Sequence, residues 1–407
     1  MKKKYDTSEI IDSARRRLAS LGCEMTDAEA LRYIEQMIFD DSSLTALTPD
    51  EVVMLVHRVY CAVRKDLDIL DPLVKDPDIT EIMINGKDNI FIERNGAIEK
   101  SELGFESTED LEEIIRRIAS KVHREINELR PIVDARLRDG SRVNAVYKNI
   151  AFGGPVMTIR KFPEKAYTME DMIKFGTVTE ECARFLKVLV RSGYNIFISG
   201  GTSSGKTTLL NALAGYIPPG ERVVVIEDSL ELRIDDLENI VRLECKNANM
   251  SGKGRVTMQQ LIKSSLRMRP DRIIVGEVRG EEVMDMINAM NTGHDGSLST
   301  GHGNSIEGML RRLESMFLQA ADFPIEAIRS QIVEGIDVFV HLGRLEGKGR
   351  RILGIAEVEG IDRGEIILNP LYSYRPGDGL VKTKNRLRHR EKLELKGEAD
   401  EYGLLGI

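Results

Sequence analysis

Residues 200–208 read GGTSSGKTT, and the predicted fold follows from this stretch and its surroundings. The apolar run 196–199 before it is typical of a strand, and Leu209, Leu210 and Leu213 after it are spaced as in a helix. A strand, a glycine-rich turn and a helix in this order match the pattern GxxxxGK[ST], whose backbone amides surround a phosphate group. Glycine is needed there because a Cβ atom would hold the backbone away from the phosphate.

Nine consecutive residues are therefore candidates for binding a nucleoside triphosphate: Gly200, Gly201, Thr202, Ser203, Ser204, Gly205, Lys206, Thr207 and Thr208. Lys206 is expected to neutralise phosphate charge, and Thr207 to place its hydroxyl on a Mg²⁺ ion. A flexible glycine-serine turn is the competing interpretation, but the flanking strand and helix patterns argue against it. The sequence contains no Asn/Thr-Lys-x-Asp segment for reading guanine, which favours ATP over GTP.

The whole chain divides by sequence pattern into five parts. Residues 177–370 alternate between strands and helices, which predicts an α/β fold with a mostly parallel sheet and ends in a hairpin around 346–349. The other four are a helical segment at 1–70, a smaller α+β domain at 71–162, a linker with one short helix at 163–176, and a charged surface tail at 371–407. The α+β domain has hairpin dipeptides at 85–86 and 95–96.

Composition excludes several classes of protein. The net charge is -8 and the pI is about 5.6, so no overall basic field attracts nucleic acid. The four cysteines, Cys23, Cys61, Cys182 and Cys245, are too dispersed for a disulfide framework or a zinc site and indicate a reducing compartment. No apolar run is long enough to span a membrane, and no signal peptide follows the basic start. A cytoplasmic protein is predicted, reaching the membrane only through a partner.

Two predicted strands end in acidic residues. One run ends at Glu227-Asp228, and the other ends at Gly276-Glu277. The carboxyl ends of parallel strands lie at one edge of a sheet, beside the predicted phosphate loop. Glu277 is therefore expected to position the attacking water, and Glu227 to belong to the metal-water shell or make a second contact. Asp271 precedes its strand and is interpreted as a turn residue.

Histidines and arginines add candidates near the same edge. His294 and His302 lie in a glycine-rich segment, and His302 is the stronger candidate for sensing the terminal phosphate. Six arginines are candidates for stabilising phosphoryl transfer, from the same or another subunit: Arg136, Arg142, Arg160, Arg267, Arg269 and Arg279. Solvated or salt-bridged arginines are the ordinary alternative, and the sequence does not choose among them.

Four motifs in order resemble those of the type II/IV secretion ATPase superfamily. They are GGTSSGKTT at 200–208, VIEDSLEL at 225–232, SSLRMRPDRIIVGEVRG at 264–280 and NTGHDGSLSTGHGNS at 291–305. These match the order of the family's Walker A, Asp box, Walker B and His box. The segments 134–144 and 158–162 look like the N-terminal domain of the CpaF/TadA branch, the motors of tight-adherence (Flp) pili. The likeness extends from about residue 71 to residue 374.

The resemblance implies a RecA-like P-loop NTPase domain and a homohexameric ring that hydrolyses ATP to drive pilus assembly or protein secretion. ATP would lie between the N- and C-terminal domains, with a hinge at 162–176. Glu227 falls in the Asp box, Glu277 is the catalytic glutamate and His302 is the His-box residue. Arg160, Arg267 and Arg279 fall where the family has phosphate-contacting or structural arginines.

The resemblance also implies an inner-membrane platform protein as partner. The absence of CxxC pairs argues against members with a cysteine-bound zinc module, and neither nucleic acid nor direct membrane insertion is expected. Arg138, where proline is common, and Gly303, where alanine is common, depart from the family pattern. Two alternatives stay open: a type IV secretion or conjugation motor of the same superfamily, and a non-hydrolysing nucleotide switch that gates a membrane partner.

Overall fold

The computed structural model describes residues 7–20, 25–64, 67–94, 96–122, 124–137, 139–162, 166–235, 237–246, 248 and 252–404. Cys23, Asn95 and Arg138, and residues 163–165 of the predicted linker, lie outside these ranges. The described residues up to 162 form one compact unit, and those from 166 onward form a second.

The first unit begins with helices, as the sequence predicted. They are α1 (Thr7–Ser20), α2 (Asp27–Phe39), α3 (Pro49–Arg64) and the short α4 (Asp71–Lys75). Thr26 caps α2, since its hydroxyl accepts from the Glu29 amide at 3.3 Å while Glu29 accepts from the Thr26 amide at 2.8 Å. This reciprocal capping box satisfies two amides that the helix itself leaves unpaired.

An antiparallel sheet with one helix completes this unit. Its elements are β1 (Ile79–Asn85), β2 (Ile90–Arg94), β3 (Ala97–Lys100), α5 (Thr108–Lys121), β4 (Ile132–Arg136), β5 (Arg142–Val146) and β6 (Val156–Arg160). The strand order is β3-β2-β1-β6-β5-β4. The apolar face of α5, including Leu111, Ile115 and Ile118, shares a buried cluster with inward residues of the strands.

The second unit alternates strands and helices around a larger sheet. Its elements are α6 (Met169–Lys174), α7 (Glu180–Arg191), β7 (Ile196–Gly200), α8 (Lys206–Ala214), β8 (Val223–Glu227), β9 (Ile240–Glu244), α9 (Met258–Ser265), β10 (Arg272–Val278), α10 (Glu282–Met290), β11 (Leu298–His302), α11 (Ile306–Ala320), α12 (Ile325–Gly335), β12 (Val338–Leu345), β13 (Gly349–Asp362), β14 (Glu365–Arg375), β15 (Gly379–Lys382), α13 (Glu391–Lys396) and α14 (Ala399–Leu404).

The nine strands run in the order β15-β14-β13-β12-β7-β11-β10-β8-β9. From β12 to β9 every neighbouring pair is parallel, whereas β13, β14 and β15 are added antiparallel. The central strand β7 is buried along its whole length. Ile196 and Ile198 belong to one buried cluster and Phe197 to another, because alternate residues of a strand face opposite sides. The sheet therefore has a core on each face, as expected for the predicted α/β fold.

The C-terminal segment differs from the predicted surface tail. β14 and β15 continue the sheet, and Leu387, Leu393 and Tyr402 are buried in the same core as α7. The backbone amides of Arg388 and His389 donate to the Glu357 carboxylate at 2.8–3.0 Å. The local pattern missed this because a few widely spaced apolar residues do the packing within a charged run. None of the described helices is long and apolar enough to cross a membrane.

A buried arginine fixes the start of β10. The side chain of Arg272 is 1% exposed and pairs with Glu221, and its guanidinium also donates to the backbone carbonyls of Val190 and Gly296. A Cβ atom at Gly296 would lie 2.4 Å from this guanidinium, and Gly296 has a φ of +81°, so glycine is required there. A buried charge is tolerated only when its donors are satisfied.

We expect Glu221→Gln to lower the free energy of unfolding by about 3 kcal/mol, since removing one partner of a buried pair leaves an uncompensated charge. Urea denaturation of the variant and the wild type measures this. Glu238→Gln, at an exposed glutamate of the same unit, is the control and should change stability by less than about 0.5 kcal/mol. Equal stabilities of Glu221→Gln and the wild type would contradict a structural role for the pair.

Candidate functional site

The loop between β7 and α8 has the shape of a phosphate cradle. A Cβ atom on Gly200 would lie 2.5 Å from both the Leu342 carbonyl oxygen and Ser204 Oγ. Ser203 and Gly205 have φ values of +57° and +98°. Gly205 stands at the N-cap of α8 and provides no side-chain hydrogen bond to the first turn. The amides of that turn, at the positive end of the helix, are suited to an anion, so the loop fits a nucleotide phosphate.

Lys206 is the first residue of α8, and its side chain turns back over the loop. It is 7% exposed. Its Nζ donates to the carbonyl oxygens of Gly200 and Gly201 at 3.2 and 3.0 Å and to His302 Nδ1 at 3.1 Å. These acceptors compensate the burial of an ammonium group. The lysine thus joins the phosphate loop to the end of β11.

His302 connects this lysine to Glu277. Because Nδ1 accepts a hydrogen bond from the ammonium group, the network assigns the proton of the neutral ring to Nε2. Nε2 lies 2.9 Å from Glu277 Oε1. Burial lowers the pKa of His302, Glu277 opposes this, and Lys206 and Arg279 add to the lowering. The imidazole is therefore neutral at pH 7.

Glu277 lies near the end of β10, between the neutral ring of His302 and the guanidinium of Arg279. Arg279 donates to its other carboxylate oxygen at 3.0 Å and lies 3.8 Å from Asp228 Oδ2. The hydrogen bond to Glu277 raises the pKa of Arg279. Glu277 Oε1 is buried, and no described residue gives it an aligned hydrogen-bond donor. A buried carboxylate oxygen of this kind can accept a hydrogen bond from a water molecule.

The side chains of Lys206, His302, Glu277 and Arg279 form a continuous connection, which we call the ion chain. Parallel strands produce it, because His302 of β11 is directly opposite Gly200 of β7, and β10 is the next strand after β11. The Thr300 hydroxyl donates to the Gly276 carbonyl at 2.7 Å and so ties the ends of β11 and β10 together. The structure thus brings four predicted site residues to one edge of the sheet.

Glu227 occupies the same edge at the end of β8 but makes backbone contacts. It is 3% exposed, and its Oε1 accepts from the amides of Glu231 and Leu232 at 2.9 and 3.1 Å. A Cβ atom on Gly276 would lie 3.0 Å from Glu227 Cγ, which explains why glycine precedes Glu277. The carboxylate predicted to hold a metal shell therefore also fixes the loop after β8, a contact that the sequence did not reveal.

The part of the chain that the structure describes contains no group of three or more His, Cys, Asp or Glu side chains placed to hold a metal ion. Mg²⁺ bound with a nucleotide does not need such a group, since phosphate oxygens and water fill most of its coordination positions. Thr207 is half-buried in the first turn of α8, where a hydroxyl ligand fits this arrangement.

Other candidates lie away from the ion chain. Arg267 and Arg269 are exposed and precede β10, whose first residue is about 16 Å along the strand from Glu277. Asp271 accepts from the Arg222 amide at 2.7 Å, as expected of a turn residue. His294 Nδ1 is 3.0 Å from the Ala289 carbonyl, beside the end of α10 and before β11 begins.

The arginine candidates of the first unit lie on its sheet. Arg160 is exposed at the end of β6, opposite Glu81 and Arg142 on the neighbouring strands. Arg136 ends β4, and its side chain donates to the Gly140 carbonyl at 3.2 Å. No site role follows from these positions alone.

Two contacts of the phosphate loop were not found from the sequence. Ser199 Oγ lies 2.9 Å from Nδ1 of the buried His341, on the adjacent strand β12. Arg350 Nε donates to the Ser203 carbonyl at 2.9 Å. Both partners are more than 140 residues away in sequence. The hairpin around 346–349 was predicted correctly, but nothing in it indicated that it lies beside β7.

Comparison with known proteins identifies the relatives of this chain. The profile of the family described as "Type II/IV secretion system protein" matches residues 63–346, which is most of the chain. The conjugal transfer protein TrbB of Rhizobium radiobacter is 35% identical over 72% of this chain and 88% of its own length. The type IV secretion system protein PtlH of Bordetella pertussis is 32% identical over 72% of this chain and 95% of its own.

Among solved structures, the pilus retraction motor PilT has a similar fold, with a TM-score of 0.54. The match covers 83% of this chain and 89% of PilT at 19% identity, which supports the predicted fold class and nothing finer. The tight-adherence branch is not singled out by any of these similarities. The family match and the two relatives establish that the chain belongs to the type II/IV secretion system protein family.

Proposed function

We propose that this chain is a Mg²⁺-dependent ATPase that powers a pilus-assembly or secretion machine. The supporting observation is the ion chain, which links the phosphate loop through Lys206 and His302 to the carboxylate of Glu277. Phosphoryl transfer needs a cradle for the phosphates, a cation at the terminal phosphate and an acid that orients water. All three groups lie at one edge of this sheet.

Each residue of the site has a proposed role. The amides of residues 201–207 and the Lys206 ammonium would bind the β- and γ-phosphates, and Thr207 would hold Mg²⁺, which neutralises developing charge. Lys206 must release the Gly200 and Gly201 carbonyls to do so. Glu277 would orient the attacking water and accept its proton. Arg279 holds Glu277 in place.

The proposed roles of the remaining predicted residues depend on the metal shell or on a neighbouring subunit. Glu227 would contribute to the metal-water shell through Oε2, because Oε1 binds two backbone amides. Arg267 lies away from the ion chain of its own subunit, and Arg160 lies on the sheet of the first unit. We therefore propose them as candidates for an arginine that acts on the nucleotide of a neighbouring subunit in a homohexameric ring.

The proposed machine is a tight-adherence pilus, with an inner-membrane platform protein as partner of a cytoplasmic ring. The motifs at 134–144 and 158–162 support this branch. The alternative is a type IV secretion or conjugation motor, which the names of the TrbB and PtlH relatives favour. Deletion of the gene, followed by electron microscopy of surface pili and a DNA-transfer assay, distinguishes the two: loss of pili with normal DNA transfer supports the first.

We expect Glu277→Gln to bind nucleotide normally but to lower kcat by about 10²-fold or more, because the amide cannot accept the proton of the attacking water. Calorimetry measures binding, and phosphate release measures turnover. Glu281→Gln, at an exposed glutamate four residues further on, is the matched control and should behave as the wild type. Normal turnover by Glu277→Gln would remove Glu277 from the catalytic role, and absence of turnover in the wild type would favour the non-hydrolysing switch.

The lowered pKa of His302 gives a predicted pH dependence. Since the folded pKa lies below the ordinary value of 6.5, the ring stays neutral above that pH and is protonated as the pH falls through the lower pKa. Protonation removes the acceptor for Lys206 and places two cations together. We expect kcat/KM to be constant from about pH 7 to pH 8 and to fall in the acid range.

The pH-rate profiles of two histidine variants test this assignment. His302→Asn should be less active, and its kcat/KM should not fall in the acid range; this fall is the acid limb of the profile. His294→Asn replaces a ring that lies beside α10 and should retain the acid limb. An unchanged acid limb in His302→Asn would assign the limb to another group.

A further inference from the structure

Arg350 lies against the phosphate loop. Its Nε donates to the carbonyl oxygen of Ser203 at 2.9 Å. Its Cδ would be 3.3 Å from a Cβ atom on Gly205, so the side chain covers the glycine at the N-cap of α8. Ser203 has a φ of +57°, a conformation that a non-glycine residue adopts only when its surroundings hold it there. The hydrogen bond from Arg350 is one contact that holds it.

The next residue, Arg351, contacts a different part of the same unit. Its guanidinium donates to the carbonyl of Phe175 at 3.0 Å. Gly176 has a φ of +69°, and a Cβ atom there would lie 3.3 Å from the Arg351 side chain. The Ile352 amide donates to the Thr177 carbonyl at 3.0 Å. Residues 175–177 follow α6. The start of β13 is therefore joined to this segment by the hydrogen bonds of Arg351 and Ile352.

Strand geometry explains how neighbouring residues reach two elements. Successive side chains of a strand point to opposite sides, so Arg350 and Arg351 project in different directions. β13 is paired with β12 on one side and β14 on the other, and Arg350 itself is opposite Arg344 of β12. These contacts form a route from the Ser203 carbonyl through Arg350 and Arg351 to the Phe175 carbonyl.

We propose that Arg350 is a positioning residue of the phosphate loop and that Arg350 and Arg351, the arginine pair, couple nucleotide binding to residues 175–177. The inference rests on the proposed ATPase function and deepens it. Phosphate binding draws the loop amides toward the anion, which fixes the Ser203 carbonyl and so orders the Arg350 side chain that donates to it. Such coupling is reciprocal, so the 175–177 segment also influences the affinity of the loop for nucleotide.

The test measures binding of a non-hydrolysable ATP analogue with Mg²⁺ by calorimetry, using the full chain. Arg350→Gln should bind about tenfold more weakly, the effect expected on losing a hydrogen bond from a charged donor. Arg350→Lys keeps a charged donor and should recover most of this affinity. Arg375→Gln, at an exposed arginine ending β14, is the matched control and should bind as the wild type.

Hydrogen exchange of the amides in 169–177 measures the coupling. The saturating analogue should slow exchange there in the wild type and in Arg375→Gln, but not in Arg350→Gln or Arg351→Gln. The double variant Arg350→Gln/Arg351→Gln should lose no more of this slowing than either single variant, because both residues act in one connection. Thermal unfolding without nucleotide should be unchanged in Arg350→Gln, whose side chain is exposed, which excludes a merely structural effect.

Wild-type affinity in Arg350→Gln, or exchange in 169–177 that responds equally in all variants, would overturn the inference while leaving the ATPase proposal intact. Failure of the wild-type protein to bind the analogue would instead contradict the proposed function, and the inference with it.

Discussion

The ammonium group of Lys206 is a positive charge held almost out of contact with solvent, and the geometry of the site follows from the need to satisfy it. Two acceptors come from the loop backbone and the third from His302. The third acceptor fixes the tautomer of the ring and leaves its remaining proton on Nε2, which lies 2.9 Å from Glu277 Oε1. Burial lowers the pKa of His302, and the charge of Lys206 adds to this lowering, so the lysine affects both the shape and the protonation of the site.

The position of β7 at the centre of the sheet makes this arrangement possible. Its parallel neighbours, β11 and β12, place His302 and Leu342 level with Gly200 and so bring them to the loop. β12 also supplies the buried His341 beneath Ser199, and burial lowers the pKa of this second histidine. The phosphate loop is thus fixed from both sides by strands that are distant in sequence, which is the usual position of a ligand site in an open α/β sheet.

Much of the second unit could be predicted because its signals are local. The motif at 200–208 required a strand before it and a helix after it. Glu277 stands near the end of an apolar strand, and His302 lies in a glycine-rich segment. The contacts of Glu227, His341 and Arg350 could not be predicted, because they depend on which strands become neighbours. The C-terminal segment was also misjudged, since Leu387, Leu393 and Tyr402 are buried by partners far away in sequence.

The central claim is that Lys206 exchanges its backbone acceptors for a phosphate while His302 and Glu277 stay at the same edge. A structure determined with Mg²⁺ and a non-hydrolysable ATP analogue tests this most directly. The account predicts the phosphates on the amides after Gly200, with Lys206 Nζ moved from the Gly200 and Gly201 carbonyls to a phosphate oxygen. A nucleotide bound elsewhere, or a lysine still on both carbonyls beside a bound nucleotide, would contradict it.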